Sequence, residues 1–146
     1  MTFMNKKFFI DTNILVYAHD GSEINKQKKA IDILEQLFLN GNGYLSIQNL
    51  SEFFWIVTRK IPSPLSIEEG EKQIYRFIRS FYVTDINFLV LIEALRGIKE
   101  HNFSLWDAQI WASARVNQIP VVLSEDFSSG SIIEGISFIN PFVDTF

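Results

Sequence analysis

The sequence predicts a three-layer α/β/α sandwich around a mainly parallel sheet of about five short strands. Two observations support this prediction. Short β-branched and aromatic runs alternate along the chain with longer segments that repeat apolar residues at helical spacing. Strands that alternate with helices favour parallel pairing, with helices covering both faces of the sheet. No repeat or linker interrupts the alternation, so we expect residues 1–146 to form one domain.

Composition restricts the classes of function. A chain of 146 residues with 47% hydrophobic residues is long enough to bury a sizeable core. No apolar run approaches the ~20 residues of a membrane span, and the N-terminus lacks a signal-peptide pattern, so we expect no membrane contact and a cytoplasmic location. With no cysteine and two histidines, a disulfide framework and an ordinary zinc site are excluded. The net charge of −4 argues against strong non-specific DNA binding.

The first predicted strand carries an acid at its carboxyl end. Phe8, Phe9 and Ile10 form an apolar run typical of a strand buried on both faces. Asp11 follows directly, and the next residues, Thr12 and Asn13, are helix N-cap types. Open α/β sheets bind ligands in the crevice beyond these strand ends. Asp11 is therefore the first candidate site residue.

The remaining elements follow from helical periodicity and from chain breakers. Glycine at 41 and 43 ends one helix, and Pro62 and Pro64 cannot continue another. We predict helices over 23–40, 47–60, 66–81, 87–100 and 104–117, a short helix after the first strand, and strands over 44–46, 82–84, 119–123 and 136–139. The apolar residues predicted to point inward include Ile31, Leu34, Leu37 and Phe38, and later Ile74, Phe77, Ile78 and Phe81.

Three further acids lie near the ends of these predicted elements. In a parallel α/β sheet, all three positions would be at the same edge of the sheet as Asp11. Glu52 lies near the start of the helix after the second strand, Asp107 near the start of another helix, and Asp126 just beyond the fourth strand. They are scattered along the chain, so only folding can bring them to Asp11. The sequence predicts this convergence.

Helix capping is the structural alternative for these acids. The pairs Asn49/Glu52 and Ser104/Asp107 both have capping-box spacing, and such caps stabilise a helix by roughly 0.5–2 kcal/mol. In the same interpretation Asp11 begins a helix and Asp126 occupies a turn. Capping alone would explain each acid taken singly.

The neighbours of the acids favour a site instead. Asp107 shares one helical face with the apolar residues Ile110, Trp111 and Ala114, and Glu52 precedes the apolar run 53–57. A buried carboxylate without a partner costs several kcal/mol. Two carboxylates 4 Å apart repel by about 4 kcal/mol at an effective dielectric of 20, so four acids together require a cation.

Carboxylates without cysteine or histidine suit Mg²⁺ or Mn²⁺. Such sites characteristically perform phosphoryl chemistry, because the cation activates a water molecule and neutralises charge on the phosphate. We therefore expect in-line hydrolysis of a phosphodiester by metal-activated water. Whether one or two cations bind is left open by the sequence.

Five motifs together resemble one family over nearly the whole chain. They are Phe9-Ile-Asp-Thr-Asn13, Ser51-Glu-Phe53, Ser104-Leu-Trp-Asp-Ala-Gln-Ile110, Leu123-Ser-Glu-Asp-Phe127 and Ile133-Glu-Gly-Ile-Ser-Phe-Ile-Asn-Pro-Phe142. The chain resembles the PIN-domain ribonucleases, and most closely the bacterial VapC-type toxins of type II toxin–antitoxin pairs. The resemblance implies a PIN-like fold and a metal-dependent endoribonuclease.

The resemblance also implies residue roles and partners. It assigns Asp11, Glu52, Asp107 and Asp126 to a catalytic quartet that holds Mg²⁺ or Mn²⁺. Asn13 and Ser124 would be supporting residues that orient the first and fourth acids. The implied partners are an RNA substrate, a second copy of the chain and a small antitoxin whose tail occupies the active-site groove.

Other interpretations are weaker. A receiver-type signalling domain would need a paired acid after the first strand, and an aspartyl phosphatase would need Asp-x-Asp, where this chain has Asn13. A non-catalytic PIN-like module that binds RNA or protein is the stronger alternative, although all four acids are present. Trp106 precedes a site acid and could flank the groove; Lys72, Arg76, Arg79 and Arg59-Lys60 are more typical of solvated faces than of RNA contacts.

Overall fold

The computed structural model describes residues 6–146. The first five residues, which are part of the N-terminus predicted to lack a signal peptide, lie outside the described range. The described chain contains six strands: β1 (Phe8–Ile10), β2 (Gly43–Ser46), β3 (Tyr82–Thr84), β4 (Val121–Leu123), β5 (Ile132–Ile133) and β6 (Ile136–Ile139). Its helices are α1 (Thr12–Tyr17), α2 (Ile24–Asn40), α3 (Ile47–Val57), α4 (Ile67–Ser80), α5 (Phe88–His101) and α6 (Leu105–Val116).

The strands form one sheet in the order β3-β2-β1-β4-β6-β5. Every neighbouring pair is parallel except β5 and β6. The predicted mainly parallel sheet is confirmed, but the sheet has six strands rather than about five. β5 was missed because two residues are too few to show strand periodicity. Glu134 and Gly135, with φ of 49° and 85°, make the tight turn that pairs it with β6.

Two apolar cores lie on the two faces of the sheet. Alternate residues of β1 point in opposite directions, so Phe8 and Ile10 pack with α1 to α4 while Phe9 packs with α5 and α6. This arrangement confirms the three-layer prediction. The predicted inward faces were partly wrong: in α2 and α4 the buried stripes include Ala30, Ile33 and Gly70, and three residues predicted to be buried are exposed, namely Ile31, Phe38 and Ile78.

Local signals place the helix ends. Ser46 caps α3, Ser66 caps α4 and Ser104 caps α6, each hydroxyl accepting a backbone N–H three residues later. α3 ends at Val57, three residues earlier than predicted, and a turn leads from it to Pro62. None of the helices in the described range is long and apolar enough to span a membrane.

Candidate active site at the carboxyl edge of the sheet

The register of β1 and β4 brings the first acid beside its first partner. Ile10 pairs with Leu123 in parallel register, so the next residues, Asp11 and Ser124, leave the sheet side by side. The Ser124 hydroxyl donates to Asp11 Oδ2 at 2.6 Å, and Asp11 Oδ1 accepts the backbone N–H of Thr12 at 2.7 Å. Asp11 is thus the N-cap of α1, as the capping interpretation required, while its other oxygen is held by β4.

Asp126, the fourth acid, is hydrogen-bonded to the residues around Asp11. Asp126 lies two residues beyond Ser124, whose Oγ accepts the Asp126 backbone N–H at 3.0 Å. The Asn13 side-chain amide donates to Asp126 Oδ2 at 3.1 Å and to Ser124 Oγ at 3.3 Å. Each of the two predicted supporting residues therefore contacts an acid: Ser124 contacts Asp11, and Asn13 contacts Asp126.

The loop after β4, which carries Asp126, is also held by contacts to Glu125. Glu125, between Ser124 and Asp126, accepts hydrogen bonds from Tyr17 Oη at 2.5 Å and Lys26 Nζ at 2.7 Å. Hydrogen bonding to Glu125 is the main cause that raises the pKa of Lys26, so this ammonium stays charged. The loop that carries Asp126 is therefore tied to α1 and α2.

Glu52 reaches the site from α3 and does not cap that helix. Ser46 and Asn49 form the capping box, which places Glu52 in the second turn, so the predicted Asn49/Glu52 pair was wrong. Glu52 Oε1 accepts the Gln48 side-chain amide at 2.7 Å, and Gln48 Oε1 accepts the amide of Gln109 on α6 at 2.7 Å. This relay of two buried glutamines joins α3 to α6 behind the acid, and sequence analysis missed it.

Asp107 reaches the site from the first turn of α6. Its backbone N–H donates to the Ser104 hydroxyl at 3.2 Å, so the predicted capping spacing is real. The other residues of its helical face, Ile110, Trp111 and Ala114, are buried as predicted. Burial raises the pKa of Asp107, the Ser104 side chain lowers it, and the charge of Asp126 raises it further.

All four acids line one open cleft of about 350 Å³. α1, α3 and α6 each contribute residues to its walls, and the loops after β1 and β4 contribute Asp11 and Asp126. Within residues 6–146, none of the four carboxylates forms an ion pair with Lys, Arg or His. The cleft therefore concentrates carboxylates that no ion pair within the described chain neutralises.

Two observations in the cleft fit a divalent cation. Burial raises the pKa of Asp11 to about 7, and the hydrogen bonds from Ser124 and Thr12 offset only part of that effect. The buried Oδ1 of Asn13 has no hydrogen-bond partner in the described chain. A hard cation would compensate both, since carboxylate and amide oxygens are its preferred ligands. The residues present thus fit Mg²⁺ or Mn²⁺.

The four cleft carboxylates do not form a compact group of ligand atoms. In the described range, one group of three acidic or histidine residues has ligand atoms that all lie within 4.8 Å of one another. It consists of Glu100, His101 and Glu134, and it lies away from the cleft. An arginine already neutralises that group, because Arg96 donates hydrogen bonds to both Glu100 and Glu134 at 2.6 to 3.0 Å. Close spacing of ligand atoms therefore does not by itself indicate a place for a cation in this chain.

Comparison with known proteins decides the family. The family profile described as PIN domain matches residues 8–128, most of the chain. The chain belongs to the PIN-domain family. The match begins in β1 and includes all four acids of the cleft. No protein in a search of curated sequences matches the chain.

Solved structures of similar fold cover almost the whole PIN domain described here. A toxin–antitoxin complex from Klebsiella pneumoniae has 17% identity and a TM-score of 0.68, covering 92% of this chain and 98% of that one. The Salmonella typhimurium VapBC bound to DNA has 21% identity and a TM-score of 0.66 over 92% and 97%. VapC20 of Mycobacterium tuberculosis, a toxin that cleaves the sarcin–ricin loop, has 17% identity and a TM-score of 0.64 over 88% and 98%. At these identities the likeness establishes the fold.

Proposed function

We propose that this PIN domain is a metal-dependent endoribonuclease, the toxin of a toxin–antitoxin pair, acting in the cytoplasm. The single observation that carries the proposal is the convergence of four unpaired acids in one cleft from four separate parts of the chain. The similar structures support it, because one of them is a toxin that cleaves the sarcin–ricin loop.

Within this proposal Asp11, Glu52, Asp107 and Asp126 hold Mg²⁺ or Mn²⁺. When bound, such a cation supplies an activated water molecule and neutralises charge on the phosphodiester. Ser124 and Asn13 fix the directions of Asp11 and Asp126 by the hydrogen bonds described above. The glutamine relay does the same for Glu52, since ligands oriented by a second set of hydrogen bonds bind metal more tightly.

The proposed partners are RNA, an antitoxin and a second copy of the chain. Two of the similar structures are named as toxin–antitoxin assemblies. Exposed apolar side chains leave surface for protein partners on one face of α5, and α2 and α4 border a cavity of about 450 Å³. The α5 residues concerned are Phe88, Leu89, Leu91, Ile92 and Leu95. We propose that these surfaces serve assembly and that an antitoxin tail enters the acidic cleft.

The test combines cleavage with metal binding. Purified protein is incubated with a pool of random-sequence single-stranded RNA in Mg²⁺, Mn²⁺ or EDTA, for wild type, Asp11→Asn and Asp126→Asn. Asp32→Asn is the matched control, because Asp32 is exposed on α2 and is not among the residues that line the cleft. Wild type and the control should cleave in Mg²⁺ or Mn²⁺ alone, and the cleft variants should not.

Cleavage that survives EDTA, or a folded Asp11→Asn protein that still cleaves, would contradict the proposal. The non-catalytic alternative predicts another pattern: the wild type would bind the RNA pool or a protein partner without shortening any strand under any metal condition. Calorimetric titration with Mn²⁺ gives a readout that does not depend on activity. Binding lost with either cleft variant and kept in the control supports the quartet directly.

A further inference from the structure

The three tryptophans of the chain differ in their surroundings. Trp111 is fully buried in the core of α5 and α6, and Trp55 on α3 stacks under Arg59 with the guanidinium carbon 3.9 Å from the ring centroid. Trp106 is 60% exposed, lines the acidic cleft and precedes Asp107. Within the described chain it makes no hydrogen bond and no ring contact. Its indole is therefore free to receive a ligand.

A cation without a partner lines the same cleft. Lys60 follows α3, four residues after Ile56 and eight after Glu52, and all three line the cleft. Its ammonium is exposed and forms no ion pair with any described residue, although four carboxylates share the cleft. The α6 side thus presents a flat aromatic ring, the α3 side presents a positive charge, and the acids lie in the same cavity.

These three features match the parts of a nucleotide chain. A base can stack on an indole, and each such stack is worth about 1–3 kcal/mol. A lysine acts as a point charge toward phosphate. We propose that Trp106 is the stacking platform for an unpaired base beside the scissile phosphate, and that Lys60 contacts a neighbouring phosphate. This inference rests on the proposed ribonuclease function and adds how the RNA is recognised.

A peptide is the competing ligand for this surface. An arginine side chain could also stack on Trp106 and pair with the carboxylates. Lys60 favours the nucleic acid, because a phosphate can pair with this ammonium while a bound divalent cation would compensate the carboxylates, whereas a cationic peptide would leave the ammonium without a partner. A base stacked on an indole must leave its own helical stack, so the cleft should prefer unpaired to double-stranded RNA.

Binding is measured separately from cleavage. Fluorescence anisotropy of labelled single-stranded 12-mers is recorded with Ca²⁺ in place of Mg²⁺, for wild type, Trp106→Ala, Trp106→Phe and Trp55→Ala. Trp55 is the matched control, since it is a half-exposed tryptophan outside the cleft. Trp106→Ala should weaken binding about 5- to 150-fold. Trp106→Phe should restore most of the affinity, and Trp55→Ala should change it less than twofold.

Two further arms separate stacking from general damage. On a strand of abasic nucleotides, Trp106→Ala should bind as the wild type does, because no base remains to stack. Lys60→Ala should weaken binding to both strands alike and reduce the salt dependence by about one counterion, with exposed Lys28→Ala on α2 as its control. Equal thermal midpoints for all variants exclude misfolding.

The proposal is overturned if Trp106→Ala binds RNA within twofold of wild type, if its loss is equal on abasic RNA, or if wild type binds no RNA. It is also overturned if Trp106→Ala weakens only the binding of an arginine-rich peptide. Failure of the two ideas can be told apart. Trp106-dependent binding without any cleavage would refute the nuclease and keep the platform, whereas metal-dependent cleavage unaffected by Trp106→Ala would do the reverse.

Discussion

Two acidic regions of this molecule differ in how their charge is neutralised. On one side, Glu93, Glu100 and Glu134 surround Arg96, and Arg115 adds contacts to Glu93 and Glu134. There the hydrogen bond from Arg96 is the main cause that lowers the pKa of Glu134 to about 2. In the cleft, burial raises the pKa of Asp11 to about 7. Acids satisfied within the chain join α5, α6 and the β5–β6 turn, whereas the cleft acids remain available for a cation from solution.

The largest effect should come from removing the buried charge of Asp11 in metal-free protein. The unfolded carboxyl ionises near 3.8 and the folded one near 7, so ionisation destabilises the fold as pH rises between these values. Asp11→Asn should therefore raise the free energy of unfolding at pH 7.5 in EDTA by up to about 4 kcal/mol. Urea unfolding at pH 5 and 7.5 measures it. Asp32→Asn should show no such gain, and a destabilised Asp11→Asn would refute the burial argument.

Next comes the loss of activity at Asp107. Second-layer contacts of metal sites are worth 10- to 100-fold, so removal of a carboxylate that contacts the cation should cost on the order of 100-fold or more in cleavage. Asp107→Asn keeps the backbone cap to Ser104 and should stay folded. Initial rates on the RNA pool give the comparison. Glu100→Gln, from the neutralised region, should cleave at the wild-type rate; an equal loss there would remove the distinction between the two regions.

A smaller effect is the pH dependence of cation binding. In the proposed site, protons would compete with the cation for Asp11 below its pKa of about 7, since a protonated carboxyl group does not bind metal. Mn²⁺ affinity should fall by about tenfold per pH unit below 7 and level off above it. Calorimetry between pH 5.5 and 8.5 checks this. A flat profile through pH 6 would mean that Asp11 is already ionised in the protein.

The smallest effect is expected in the neutralised region. Because the pKa of Glu134 is lowered, its ion pairs stabilise the fold above about pH 4.5 and are lost as pH falls toward 2. Glu134→Gln should lower the thermal midpoint slightly at pH 7, less so in high salt, and leave cleavage unchanged. Scanning calorimetry at two salt concentrations tests it. A large loss of cleavage would give this region a functional role.

Much of the fold follows from short-range patterns in the sequence. The apolar run of β1, the glycine stop at 41 to 43 and the serine caps predict elements within a few residues. Side-chain exposure is less predictable. Phe38 on α2 and Ile78 on α4 continue the apolar face of their helices but are exposed, because neighbouring elements pack against only part of that face. β5 forms only because the turn at 134 to 135 folds it onto β6.

Some features of the site were predictable from the sequence, and others depend on contacts that form only in the folded chain. The four acids that line the cleft could be named from the sequence, since Asp11 and Asp126 follow strands and Glu52 and Asp107 lie in the first two turns of helices at the ligand-binding edge. The supporting roles of Asn13 and Ser124 came from the family resemblance and stay predictions. The pairing of Gln48 with Gln109 could not, because the two amides lie 61 residues apart and meet only when α3 packs beside α6. The unpartnered state of Trp106 likewise required coordinates.

Mn²⁺ titration of paired variants tests most directly whether unneutralised charge marks the metal site. The protein is titrated by calorimetry at pH 7.5 as wild type, as the cleft double variant Asp11→Asn/Asp126→Asn, and as the double variant Glu100→Gln/Glu134→Gln. We predict that binding disappears in the cleft variant and is unchanged in the other. Binding that persists in the cleft variant and disappears with Glu100 and Glu134 would contradict the account.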